Sequence, residues 1–246
     1  MPLLQLDGVS KKFGQVVVAQ EITFELEEGA ALGIIGPNGA GKTTLFAMIS
    51  GDVKPDAGEI TFDGQNLGHL SQAARARLGI GRTYQIPRPF EHMTVFENAL
   101  LAAQQGARTR GQASYALAYD ALVRTGLADL ANTSAGTLPL LHRKRLELAR
   151  ALATRPRVLL LDEIAGGLTD PEVNELTVII RSFSAEGIAV VWIEHVVRAL
   201  LSTVDRLLCL SSGAIIADGD PSDVMASEAV RSIYLGGRVI NEALNQ

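Results

Sequence analysis

Apolar positions along the chain change period several times, and each change predicts a different element. In EITFELEEG, Ile22, Phe24 and Leu26 alternate with polar neighbours, the period-2 pattern of a half-buried strand. QLDGVSKKFG and GEITFDGQNL read as further strands, with Asp-Gly and Glu-Gly pairs marking turns. AALGIIG is a short buried strand that runs into a glycine-rich loop and then into the helical TTLFAMIS. From Thr94 the period lengthens. Thr94 and Glu97 fit a capping box opening a helix through NALLAAQ, and residues 105–113 form a polar connection. SYALAYDALVRTGL is amphipathic and ends near Gly126. In TLPLLHRKRLELARAL, Leu146, Ala149, Leu152 and Ala153 recur at helical spacing beside a polar stripe of Arg143, Glu147 and Arg150. RVLLLDE, AVVWIEH and RLLCLSSG are continuous apolar runs of the kind that fills central parallel strands, and AIIADG is a further short strand. Asp170-Pro171 predicts the cap and first turn of a helix ending at Gly187. Strand, helix and strand at this spacing imply βαβ units and a parallel sheet, an α/β fold.

Two stretches carry chemistry. GPNGAGKTT, Gly36 to Thr44, matches G-x-x-x-x-G-K-[ST] between a strand and a helix, where a phosphate-binding loop needs to be. Gly36, Pro37, Asn38, Gly39, Ala40, Gly41, Lys42, Thr43 and Thr44 are the nominated nucleotide-binding residues. Backbone N–H groups from Asn38 to Lys42 wrap phosphate oxygens, Lys42 reaches the β- and γ-phosphates, and Thr43 offers its hydroxyl to Mg²⁺. GPNGAG is not G-x-G-x-x-G, so a dinucleotide site is not supported. The second stretch is VLLLDE. In a phosphate-loop ATPase a strand ending in acids places Asp162 beside the metal and Glu163 against the γ-phosphate, where it polarises the attacking water.

Composition narrows the class. With 246 residues, 47% of them hydrophobic, the chain can bury a sizeable core in one large α/β domain or two small ones. A formal net charge of −5 argues against a general nucleic-acid binder. Cys209 is the sole cysteine, which rules out an intrachain disulfide, fits a reducing compartment and reads as a core residue within RLLCL. No apolar run reaches the roughly 18 residues of a membrane span, and MPLLQLDG lacks the pattern of a signal peptide. Mean hydropathy is nevertheless slightly positive at +0.19, which predicts strands buried on both faces, surface covered by partners, or both.

With these motifs in this order the chain resembles the ATP-binding cassette family, the ATPase subunits of ABC transporters. The resemblance adds Phe13 in KKFGQ as the adenine-stacking aromatic and Gln85 in GRTYQ as the Q-loop glutamine that touches Mg²⁺ and water. It makes Gly167, Leu168, Thr169 and Asp170 part of the D-loop at the dimer interface, and His195 in WIEH the switch histidine on the γ-phosphate. The implied catalytic set is Glu163, His195 and Gln85, and the implied metal set is Thr43, Gln85 and Asp162. The implied fold is a P-loop NTPase with a RecA-like parallel-sheet core, an N-terminal antiparallel β-subdomain and an inserted α-helical subdomain. Residues 1–86 and 156–246 would form the core and β-subdomain, and 87–155 the helical subdomain. More narrowly, GRTYQIPRPFEHMTVFENALLAAQ and the ending GAIIADGDPSDVMASEAVRSIYLGG look like importers of branched-chain amino acids and related amides, and like the first of their two ATPase subunits. The implied ligands are ATP and Mg²⁺. The implied partners are a second ATPase subunit (a different chain or a second copy), transmembrane permeases and, indirectly, a substrate-binding protein, at the cytoplasmic face of the inner membrane. No nucleic acid is expected.

The chain departs from the family at its signature, LSGGQ or a near variant. Here Leu138, Pro139, Leu140, Leu141 and His142 occupy those positions ahead of a well-matched RKRLELARAL. Pro139 supplies neither the hydroxyl nor an N–H, and Leu141 puts bulk where the second glycine approaches the γ-phosphate. Each hydrogen bond lost to a charged phosphate removes about 1.5–3 kcal/mol. Compensation is expected from Pro139 at the first helical position, from the N–H groups of Leu141 and His142, and from the His142 ring. Ile164 also replaces the usual proline after the acidic pair. The alternatives are a regulatory subunit that binds ATP but turns it over poorly, and an ABC protein of translation or repair. The second is disfavoured by a single cassette without a long coiled-coil insertion.

Overall fold

In the computed structural model, which describes residues 1–235, the alternating N-terminal segments pair as β1 (Leu4–Phe13) and β2 (Val16–Leu26). The fully buried β3 (Ala31–Ile35) leads through the glycine-rich loop into α1 (Lys42–Ser50), and β4 (Ala57–Phe62) and β5 (Gln65–Asn66) return beside β1. These four outer strands form an antiparallel sheet in the order β2-β1-β4-β5. The Asp7-Gly8 pair is not a turn, as its composition suggests, but lies inside β1. Gly8 takes φ +59 and the register shifts between Leu6 and Val9, so this glycine makes a bulge and the chain turns only after Phe13.

The short α2 (Gln72–Leu78) and β6 (Ile80–Arg82) come next. Three helices follow, α3 (Val95–Gln105), α4 (Gln112–Arg124) and α5 (Leu140–Ala153), packed through Ala99, Ala103, Ala118, Leu122, Leu146 and Ala149. The Thr94–Glu97 capping box forms, with the Thr94 side chain accepting from the Glu97 N–H at 3.1 Å and Glu97 accepting from the Thr94 N–H at 2.8 Å.

The chain then alternates through β7 (Val158–Asp162), α6 (Asp170–Ala185), β8 (Ala189–Ile193), α7 (Val197–Leu201), β9 (Arg206–Ser211), β10 (Ala214–Gly219), α8 (Pro221–Ala226) and α9 (Glu228–Leu235). The second sheet runs β10-β9-β3-β8-β7-β6, parallel except for the edge pair β9–β10. Its central strands read as unbroken apolar runs because both faces are covered. Leu159, Leu161, Val190 and Trp192 point into a core shared with the helices, while Val158, Leu160, Val191 and Ile193 point into a second core shared with α1 and the antiparallel sheet. This burial accounts for the positive mean hydropathy. No helix among the described residues is long and apolar enough to cross a membrane. Of the YLG ending, Gly236 lies outside the described residues.

The cap of α6 also differs from the sequence reading. Thr169, not Asp170, is the N-cap, paired with Glu172 in a capping box, and Asp170 and Pro171 fill the first turn. A threonine three residues before a glutamate closes this box as Thr94 and Glu97 do, which leaves Asp170 free to sit near the positive helix end.

Candidate active site

The phosphate loop is shaped by glycines that no larger residue could replace. Gly36 and Gly41 adopt φ +151 and +102, and a Cβ on them would lie 2.2 Å from the Leu210 carbonyl oxygen and 2.0 Å from that of Val18. The loop is thus pressed against β9 on one side and β2 on the other. Its end becomes the N-terminal turn of α1, where the Leu45 N–H reaches back to the Gly41 carbonyl at 2.8 Å. Lys42 is 5% exposed, and its ammonium donates to the carbonyls of Gly36 at 2.8 Å and Pro37 at 3.1 Å. Burial pushes its pKa down, and the charges of Glu163 and Asp162 oppose that shift. A cavity of about 210 Å³ is lined by Val18, the run Asn38 to Thr44, and Glu163. The sequence reading did not include Val18; its signal is only that the hairpin carrying Phe13 folds back to this point.

Opposite the loop, three residues far apart in sequence meet. Glu163 Oε2 accepts from Gln85 Nε2 at 2.6 Å, and Glu163 Oε1 lies 2.8 Å from His195 Nε2. Because a carboxylate only accepts, the Gln85 amide must turn its NH₂ toward Glu163, which leaves Gln85 Oε1 as the acceptor for a cation. Glu163 follows the buried β7, has φ +47, and anchors its own N–H on the Ile193 carbonyl at 2.9 Å. A non-glycine residue held in this left-handed region costs about 1–3 kcal/mol, so the surroundings over-determine its conformation. Asp162 is 3% exposed and bonds Arg82 Nη2 at 3.3 Å; Arg82 also holds Asp52 at 2.8 Å and Ser50 at 2.9 Å. Burial raises the Asp162 pKa and Arg82 opposes that.

The donors nominated for Mg²⁺ fit that ion's preference for oxygen. Thr43 brings an exposed hydroxyl, Gln85 a free amide oxygen, and Asp162 a carboxylate with only one oxygen on Arg82. Among the described residues no cluster of three or more His, Cys, Asp or Glu could cage a metal. Mg²⁺ keeps several waters and is bound through one or two protein oxygens plus substrate phosphates, which a set of this kind can complete. Phe13 is 50% exposed at the end of β1, with Lys11 Nζ 5.3 Å from its ring centre, as an aromatic free to stack on a base requires.

The loop after β7 is fixed from beneath. Glu194, 2% exposed, accepts from the Ala165 N–H at 2.6 Å and the His195 N–H at 2.9 Å, joining the D-loop to the histidine. Burial raises its pKa against those backbone donors. Gly167 takes φ +81, the Leu168 N–H donates to the Ala165 carbonyl at 3.2 Å, Thr169 caps α6, and Asp170 pairs with Arg198 at 3.0 Å. Arg82, Glu194 and Lys144 went unremarked in the sequence. The first two stand next to recognised motif residues, and Lys144 is hidden in the charged run RKR.

The signature corner corrects two expectations. Pro139 is the N-cap of α5 rather than its first helical residue; it is extended (φ −64, ψ 165), makes no side-chain cap, and accepts from the Arg143 N–H at 3.0 Å. The N–H groups of Leu140, Leu141 and His142 therefore begin the helix. Leu141 does not add bulk at the approach to a phosphate, because its side chain is 9% exposed and packs inward. Leu140 is the exposed one, at 41%, and its Cδ2 lies 3.1 Å from where a Cβ on Gly167 would stand. Leu138, 4% exposed, is core. His142 is half-buried, and its nearness to Glu172 adds weakly to the bonds from Thr169 that lower that carboxyl's pKa.

Comparison with known proteins shows the family. Residues 19–166 match the ABC transporter family, and residues 214–240 match the branched-chain amino acid ATP-binding cassette transporter family. The chain is 36% identical to the high-affinity branched-chain amino acid transport ATP-binding protein BraF of Pseudomonas aeruginosa, over 96% of this chain and 98% of that protein. It is 35% identical to LivG of Escherichia coli, which has the same description, with the same coverage of both chains. Among solved structures, the ADP conformation of the cassette MJ1267 from an ABC transporter superposes with a TM-score of 0.85 at 27% identity, covering 96% of this chain and 99% of that one. A nucleotide-free cassette from an ABC transporter gives 0.84 at 26%, covering 95% and 99%. The alternative of a poorly hydrolysing regulatory subunit is not favoured by these relatives. A nucleotide-binding phosphate loop, an acidic pair ending a central strand and a match spanning most of the chain thus make this protein a member of the ATP-binding cassette family, an ATPase whose hydrolysis is coupled to transport.

Proposed function

We propose that the chain is the first of two different ATPase subunits in an importer of branched-chain amino acids or related small molecules. It would work at the cytoplasmic face of the inner membrane with a second cassette, transmembrane permeases and a substrate-binding protein. The alternative partner cassette is a second copy of this chain. The match at residues 214–240 and the transport roles named for BraF and LivG support the substrate class.

The observation that carries the catalytic reading is the Glu163 carboxylate, held by Gln85 and His195 at the wall of the cavity lined by the phosphate loop. The N–H groups from Asn38 to Lys42, with Lys42 itself, bind the phosphates of ATP, and Phe13 stacks on the adenine. Thr43, Gln85 and Asp162 would hold Mg²⁺, which would supply positive charge against the phosphate oxygens. Glu163 orients a water in line with the γ-phosphate and accepts its proton, and His195 turns from Glu163 to the γ-phosphate. Residues 87–155 form the helical unit that presents Leu138 to His142 to the partner's nucleotide, and the described residues on either side of it form the ATP-binding core and β-subdomain. Gly167 to Asp170 line the interface between cassettes. ATP drives closure because it binds the closed pair better than the open one.

The test is Glu163→Gln in the complex purified through a tag on this chain. Hydrolysis at this site should fall by at least roughly a hundredfold while MgATP still binds with near-normal affinity, and uptake of labelled leucine by cells should stop. Unchanged hydrolysis would remove Glu163 from this role. Loss of hydrolysis without loss of leucine uptake would leave the ATPase intact as a conclusion and the substrate class wrong.

A further inference from the structure

Lys144 is a charged side chain with 3% exposure on a helix whose other inward residues are apolar or, like Glu147, bonded to charged partners. Burial lowers its pKa against the opposing charges of Glu194, Glu163 and Glu147. A leucine or methionine would fill the same space without the cost of desolvating an ammonium, so the charge is retained for what it bonds. It is in no ion pair within 4 Å among the described residues. Its Nζ donates instead to two backbone carbonyls, that of Gln85 at 2.9 Å and that of Glu163 at 3.4 Å.

Those two residues are already joined through their side chains, Gln85 Nε2 to Glu163 Oε2 at 2.6 Å. The bonds therefore close a ring: ammonium to Gln85 carbonyl, Gln85 amide to Glu163 carboxylate, Glu163 carbonyl back to ammonium. Glu163 needs such a grip because its backbone stands at φ +47. The Ile193 carbonyl holds its N–H, the Gly166 N–H reaches its carbonyl, and Gln85 and His195 hold its carboxylate; among the described residues Lys144 is the side chain that ties the Glu163 carbonyl to that of Gln85, beyond the end of β6. Lys144 also stands just after the signature corner, Leu138 to His142, whose last three residues form the first turn of the same helix.

We propose that Lys144 is a positioning residue for hydrolysis, and the link through which α5 sets the geometry of the chain's own Gln85–Glu163 pair. The proposal rests on the reading of Glu163 as the group that orients the attacking water. A movement of the signature corner would reach the cis site through this ammonium, without a contact between the corner and that site's nucleotide.

The experiment uses the complex purified through a tag on this chain, with the rate of the Glu163→Gln complex subtracted as background. Lys144→Met should lower kcat by at least roughly fivefold while KM for MgATP stays within about threefold, and Lys144→Arg, which can still donate to both carbonyls, should return kcat to within about threefold of the unaltered complex. In a Glu163→Gln background, adding Lys144→Met should change the residual rate by less than about twofold, because the two residues act on one step. A smaller fall for Lys144→Met, a matching rise in KM, or the same fall repeated in the Glu163→Gln background would each overturn the proposal. If Lys144→Met does not assemble, Lys144→Gln is judged by the same limits. If Glu163→Gln itself leaves the rate intact, the reading of Glu163 fails first and the role of Lys144 falls with it.

Discussion

Asp162 has a buried carboxylate that the fold tolerates rather than welcomes. Burial holds its pKa above the ordinary 3.8, and Arg82 only partly offsets this from 3.3 Å. A carboxyl shifted upward is costly once ionised. Between the ordinary and the raised value the folded chain binds more protons than the unfolded one, so stability falls as pH climbs through that window and the cost persists above it. Asp162→Asn should therefore melt above the unaltered chain at about pH 7 without nucleotide, and the gain should vanish below about pH 4, where both forms are neutral. Melting curves across pH in EDTA measure this; a gain independent of pH would mean that charge burial is not the cause. At this scale the sequence was legible wherever a motif fixes spacing, as from Gly36 to Thr44 or at Asp162 and Glu163. It was silent on Arg82, Glu194 and Lys144, because burial of a charge is a property of the three-dimensional surroundings and leaves no periodic trace.

The start of α5 is the element where sequence and structure part most usefully. Its register and amphipathic body follow from Leu146, Ala149 and Leu152, all buried as their spacing predicts. The direction of each leucine at its tip does not, because one residue of shift at the N-cap turns a side chain by about a quarter of a helical turn. With Leu141 inside and Leu140 outside, the pair to restore is Pro139→Ser with Leu140→Gly. A serine at this N-cap can accept from the first-turn N–H groups, worth about 1 kcal/mol, which roughly offsets the glycine's cost in the helix. The double variant should keep its melting temperature within about 4 °C while raising ATPase at the site this corner completes. No change in that rate would mean that the altered corner is not limiting. Leu141→Gly, by contrast, removes a buried leucine and should cost about 2 kcal/mol or more. Short elements such as α2 and β6 were also unread: Ser71 caps the first and Gly79 ends it, yet seven and three residues are too few for a period to emerge.

At the scale of the whole molecule, two sheets share the core beneath α1, and the nucleotide loop is pinned between β2 of one and β9 of the other. The continuous apolar runs made the parallel sheet legible. The packing of the β1–β2 hairpin on the loop was not, since strand order is set by contacts distant in sequence. A ligand that bridges such units stabilises both. MgATP at about 100 times its Kd should add about 2.7 kcal/mol, a rise of roughly 5–11 °C in melting temperature for a chain of this size. Lys42→Ala should abolish that rise, and a rise that survives it would place the nucleotide elsewhere.

Cys209 sits fully buried in β9, behind the loop, with its thiol pKa pushed up to about 11 by burial. It is the chain's sole cysteine and is almost never a thiolate at neutral pH, so it resists alkylation. The unaltered protein therefore comes with a silent labelling background. A single cysteine introduced at the exposed Val178 would carry a spin or fluorescent probe with no need to strip the native thiol of this chain first, and with a second probe on the partner cassette the opening and closing of the pair could be followed as a change in distance.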